Sequence, residues 1–138
     1  MSYRKNVFLV LASAALLFGA DETFDKAEQA IASKDYPSAI NLLENAVRSD
    51  PDSLRYASEY RQAVLKQTIA AHPKEGLPAD FDKEITFFQK LVADHPGSSN
   101  AYLNFGFAYV DKIAAAGSIT QVIMANTALT QFTKSIEL

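Results

Sequence analysis

The chain has 138 residues, 49% apolar and 21% charged, with only five Gly and five Pro. That is the composition of a single globular or repeat domain rather than of a low-complexity segment. A formal net charge of −3 without a basic patch argues against nucleic acid as a partner, and the lack of any Cys excludes a disulfide framework and a cysteine-borne lipid anchor.

The first twenty residues differ in kind from the rest. Arg4 and Lys5 precede an uncharged run from Val7 to Ala20, rich in Val, Leu, Ala and Phe. A basic start, a short apolar stretch and a small-residue exit form the pattern of a secretory signal peptide. The run is shorter than the roughly 20 apolar residues a membrane span needs. Residues 1–20 are therefore expected to be a signal peptide cleaved after Ala20, and the mature chain to be exported, in the periplasm of a bacterial cell. Left uncleaved, the same segment would hold the protein at the inner membrane or serve as a first helix of the fold. Because it contains two basic residues and no acid, the remainder carries 11 basic and 16 acidic residues, net −5. That balance also disfavours an anionic membrane surface.

The rest of the chain is expected to be all helical. A first helix is expected over 22–33, with Asp21, Glu22 and Asp25 at its start, where the helix dipole favours negative charge. Ala27, Ala30 and Ile31 supply its apolar stripe. Lys34-Asp35-Tyr36 makes the turn, and Pro37 sits in a first helical turn that tolerates it. The second helix carries Ala39, Ile40, Leu43, Ala46 and Val47 at helical spacing and stops before Ser49-Asp50-Pro51. A third is expected over 53–71, closed by His72-Pro73, and 73–79 is a loop with one Gly and two Pro. Asp80 is a suitable N-cap for a fourth helix over 81–93, which Pro96-Gly97 closes. The fifth is expected over 99–115, with Gly117 as C-terminal cap and Ser118 capping a sixth that starts at 119.

Tyr102, Phe105, Gly106 and Tyr109 share one side of the fifth helix, since steps of three and four return to the same face. Gly there costs roughly 1 kcal/mol against Ala. Its presence predicts a neighbouring helix too close for a side chain, and the preceding hairpin is the expected neighbour.

Three segments resemble one another. Asp35-Tyr36 is followed by Ala39-Ile40, Leu43, Ala46-Val47 and Asp50-Pro51. Ile85, Phe88, Leu91-Val92 and Asp94-His95-Pro96 repeat the steps, and Ala128-Leu129, Phe132 and Ser135-Ile136 repeat them again. Self-similarity of this kind marks a repeat array. With the Tyr102–Tyr109 string, the pattern resembles the tetratricopeptide repeat family, with units at about 21–52, 53–97 and 98–138. Thr23 and Lys26 depart from it in the first unit, and Arg61 stands where the middle unit should have its small residue. The stretches from Val64 to Glu84 and from Tyr109 to Ala128 exceed the family unit by about eleven and ten residues, which predicts lengthened hairpins. The third unit stops inside a helix before any closing Pro. The expectation is of a chain that continues, or of an apolar face that another copy covers.

The resemblance implies an all-α fold of antiparallel hairpins stacked as a short right-handed solenoid. It also implies a protein-protein interaction scaffold whose groove is lined by the first helices of its units. On this chain the matching positions are Glu28, then Arg55, Ser58, Glu59, Gln62 and Lys66, then Asn100, Leu103, Asn104, Phe107 and Asp111. Asn104 matches one asparagine of the carboxylate clamp of chaperone-binding members. Phe24 and Glu28 replace the clamp's Lys and Asn, so a chaperone's C-terminal tail is not the expected ligand.

No enzyme, metal or cofactor is expected. His72 and His95 each precede a proline at a helix end, where capping is the simpler reading, and no Cys joins them. Asp80, Asp82 and Glu84 read as helix-start charges rather than as a general acid and base. The alternatives to a protein- or peptide-binding scaffold are a structural subunit that forms a homo-oligomer through its last helix, and the non-catalytic front part of a larger envelope protein.

Overall fold

Turn chemistry sets the frame of this chain. In the computed structural model, residues 22–71, 80–113 and 118–138 are described. The expected signal segment, His72, the 73–79 loop and Gly117 lie outside the described residues. Among the described residues there are helices and turns and no strand, so the all-α expectation holds. We label the helix over 22–32 α1, followed by α2 (Tyr36–Ser49), α3 (Leu54–Ala71), α4 (Asp80–Asp94), α5 (Ser99–Ile113) and α6 (Ser118–Glu137). No helix among the described residues is long and apolar enough to cross a membrane.

Helix α1 ends in a left-handed residue, Lys34, with φ of 63°. The Asp35 N–H reaches back to the Ala30 carbonyl and the Lys34 N–H to that of Ile31, at 2.9 and 3.0 Å. These two bonds satisfy carbonyls that a helix end leaves free, in the Schellman arrangement. Asp35 then caps α2, its carboxylate accepting from the Ser38 N–H at 3.3 Å, with Pro37 in the first turn.

The next turns use one design twice. After α2, the Asp50 N–H donates to the Ala46 carbonyl and the Ser53 N–H to the Asp50 carbonyl. Ser53 Oγ then accepts from the Tyr56 N–H. After α4, the His95 N–H donates to the Leu91 carbonyl, the Ser98 N–H to the His95 carbonyl, and Ser98 Oγ accepts from the Ala101 N–H. Pro51 and Pro96 occupy the same place in both turns and block helix continuation.

Successive turns are tied to each other. Ser98 Oγ donates to Asp52 Oδ1 at 2.5 Å, and Asn100 Nδ2 donates to the Asp52 carbonyl at 2.7 Å. Ser99 Oγ donates to the Ser135 carbonyl at 2.6 Å, joining the start of α5 to the end of α6.

The main packing pairs among α2–α6 are α2 with α3, α4 with α5, and α5 with α6, with α3 also touching α4 and α5. Ala39, Leu43, Ala46 and Val47 of α2 are buried, as are Phe81, Phe87, Phe88, Leu91 and Val92 of α4. Tyr60 sits among them, its ring centroid 4.7 Å from Phe87 and 5.7 Å from Phe88.

The close neighbour of Gly106 is not the preceding hairpin. A Cβ placed on Gly106 would lie 2.6 Å from Cδ1 of Phe132, which is on α6. The glycine thus admits the ring of its own hairpin's second helix. The lengthening is visible in α6, which runs for 20 residues and starts ten residues before Ala128, whereas α2 starts three before Ala39.

Candidate functional site

The expected groove residues divide into an exposed set and a set used inside the fold. Glu28 of α1 and Arg55 of α3 meet at 3.9 Å, both well exposed. The Arg55 guanidinium also lies 3.9 Å above the Phe24 ring centroid. That cation–π contact explains Phe24 in physical terms: it is buried beneath the charge of the neighbouring helix. Ser58, Gln62 and Lys66 are exposed, and Glu59, Asn100 and Leu103 are half-buried.

Asn104 does not project into a groove as an exposed contact; it is 3% exposed. Its Nδ2 donates to the Asn100 carbonyl at 2.8 Å, and its Oδ1 accepts from Arg61 Nη1 at 3.4 Å. A buried amide needs such partners, and both of its ends have found them within the protein.

Arg61 organises this region. It replaces the small residue of the repeat pattern and reaches from α3 onto α5. Its Nε lies 3.2 Å from Asp111 Oδ2, an ion pair that lacks hydrogen-bond alignment. Its guanidinium stands 4.6 Å from the Phe107 ring centroid. Phe107 is 38% exposed and also packs against Phe132, with centroids 5.2 Å apart. The sequence-expected residues Asn104, Phe107 and Asp111 are therefore brought together, by a fourth residue that the spacing marked only as a departure.

Glu84 differs from its reading as a helix-start charge. It is fully buried, and as a carboxylate neither of its oxygens has a hydrogen-bond partner. Burial pushes its pKa up to about 9, and the nearby Asp111 charge adds to the rise while Arg61 opposes it. As a neutral acid, Glu84 donates to Asp111. Burial also raises Asp111 above the ordinary carboxylate range, against the pull of Arg61 and of the Glu84 bond. Glu84 sits where α2 has Ala39, so the position is a core position in both units. That helical equivalence was the available signal.

Asp82, two residues earlier, faces outward and pairs with Lys112 of α5. Among the described residues no group of His, Asp and Glu is placed to hold a metal ion.

A groove of about 600 Å³ runs between α2 and α4. Glu44 and Arg48 line it from α2, Phe87, Lys90 and Leu91 from α4, and His95 from the turn. The Arg48 guanidinium is 5.2 Å from the Phe87 ring centroid. None of the expected site residues lines this groove.

Comparison of the chain with protein-family models and with curated proteins gives no match.

Proposed function

We propose that the chain is an exported scaffold of tetratricopeptide-like hairpins, stacked as a short right-handed solenoid, that binds a protein or peptide segment across the first helices of its units. The observation that carries this reading is the repeated turn. Asp50-Pro51-Asp52-Ser53 and His95-Pro96-Gly97-Ser98 form the same bonds 45 residues apart, and Asp52 of one receives Ser98 of the next. A unit that recurs with its own linking bond extends along one direction and offers a surface, not a single enclosed site.

The exposed and half-buried first-helix residues set the chemistry of that surface. Phe107 offers an aromatic face that Arg61 holds from one side. Arg55 and Lys66 supply positive charge, and Glu28 and Glu59 negative charge. A peptide of mixed charge with an apolar anchor beside Phe107 fits this arrangement, since aromatic and Arg side chains dominate interface energetics. Asn104 supports the face from beneath, through Arg61.

Affinity capture from an envelope extract tests the reading. Phe107→Ala together with Gln62→Glu should lose partners that the unaltered chain retains. Retention of the same partners by the variant would remove this face from the proposal.

The 600 Å³ groove favours a second reading, in which a ligand lies between α2 and α4. Lys90→Glu reports on it: loss of capture by this variant alone would move the binding surface there.

A further inference from the structure

We propose that α6 is a self-association helix, pairing in parallel with α6 of a second copy through Ile119, Val122, Asn126, Leu129, Thr133 and Ile136. These residues follow one another in steps of three, four, three, four and three, the spacing of an a/d seam. All six are exposed and lie on the side of α6 opposite Ala128 and Ser135, which are buried. Apolar residues at a and d positions bury themselves as knobs in the holes of a facing helix, and four of these six, Ile119, Val122, Leu129 and Ile136, are large and apolar.

The repeat shows that such a position is ordinarily covered. Val47 of α2 and Val92 of α4 are 0% and 8% exposed, whereas their equivalent on α6, Ile136, is 86% exposed. Ile119 is 81% exposed, and Val122, Ile123 and Leu129 are each above 60%. These exposed apolar side chains lie together on one helix, four of them on the seam and Ile123 beside it, and a contiguous apolar patch of this kind marks an interaction surface.

The charge pattern selects a second copy as the occupant. The seam and its flanks Ile123, Ala125 and Thr130 carry no charge; Glu137, the charged flank, faces Phe132 of the second copy in a parallel pair rather than its own counterpart, so two copies of α6 bring no like charges together. The opposite end of the array does not match this face. The exposed side of α1 holds Glu22, Asp25, Lys26, Glu28 and Gln29, which makes a polar cap and rules against a head-to-tail contact with α6. Parallel pairing sets Asn126 against Asn126 and Thr133 against Thr133, so polar side chains meet polar ones. An antiparallel pairing would press Asn126 onto Leu129 and leave its amide without a partner. The proposal does not rest on the peptide-binding reading, since the seam contains none of the residues of that face.

Sedimentation equilibrium of the full chain tests the pairing. The expected mass is twice 15.1 kDa, falling to the monomer value for Leu129→Lys with the helical circular dichroism unchanged, because Leu129 is exposed in the monomer. The chain has no native Cys, so Thr133→Cys gives an unambiguous second readout. Parallel pairing yields a disulfide-linked dimer from this variant. A monomer at all concentrations would overturn the proposal. If the thiol of Leu129→Cys were then slow to label, the occupant would be a segment of the same chain; if fast, the face would be bare. A dimer unaffected by Leu129→Lys would equally overturn it, and a dimer that Thr133→Cys fails to cross-link would overturn the parallel arrangement.

Discussion

The Phe132 ring of α6 occupies the space that a Cβ on Gly106 of α5 would need. A helix–helix contact this close explains why Gly is present at a helix-interior position despite its backbone cost.

Gly106→Ala should therefore destabilise the fold although Ala is the better helix former. The intrinsic gain of about 1 kcal/mol is outweighed by overpacking against the ring, which typically costs 1–3 kcal/mol. A net loss of about 1 kcal/mol is expected from urea melts. Phe132→Leu in the same chain should recover part of it, and a double-mutant cycle would show the two positions coupled.

Glu84 makes stability depend on pH. Its native pKa is raised from 4.5 to about 9. Below about pH 4.5 the acid is protonated in both folded and unfolded chains and adds no slope. Between about 4.5 and 9 only the native state keeps the proton, so stability falls as pH rises, by up to ~1.4 kcal/mol per unit. Asp111 is also raised, and adds a slope of the same sign at the acid end. Glu84→Gln keeps a neutral hydrogen-bond donor without the titration. Urea melts from pH 5 to 8 should show a flatter profile for the variant, which should be more stable than the parent at pH 8 by roughly 1–3 kcal/mol.

Much of the frame was legible in the sequence, and for a local reason. Pro51, Pro96 and Asp35 act within four residues of themselves, so helix ends could be placed from spacing alone, whereas Ser98 also reaches Asp52 in the preceding turn. The site was less legible because its determinants span units. Asn104 reads as a groove residue from its own helix, and only the reach of Arg61 from α3 shows why it is buried. Glu84 reads as a helix-start charge until its equivalence with Ala39 places it in the core. Gly106 announced a close neighbour, but the neighbour's identity depended on how α6 returns across α5.

The tie between turns should be measurable. Ser98 both caps α5 and donates to Asp52 of the preceding turn. Ser98→Ala should cost about 1–2 kcal/mol, the loss of a cap plus a charge-assisted bond. Ser53→Ala removes a cap alone and should cost about 1 kcal/mol. Thermal unfolding of the two variants checks the order.

Lys34 holds a left-handed conformation at the end of α1. Lys34→Gly relieves that strain while adding freedom to the unfolded chain, and the balance favours the variant by about 0.5 kcal/mol. A higher unfolding midpoint with an unchanged denaturant slope is the expected result.

The central claim is that the first-helix face binds a protein segment. Site-specific photo-cross-linking tests it most directly, with a photoreactive residue placed at Gln62 on that face or at Lys90 in the groove between α2 and α4. In envelope extract the account predicts discrete adducts from position 62, lost on Phe107→Ala, and none from position 90. Adducts from position 90 with none from position 62 would contradict it.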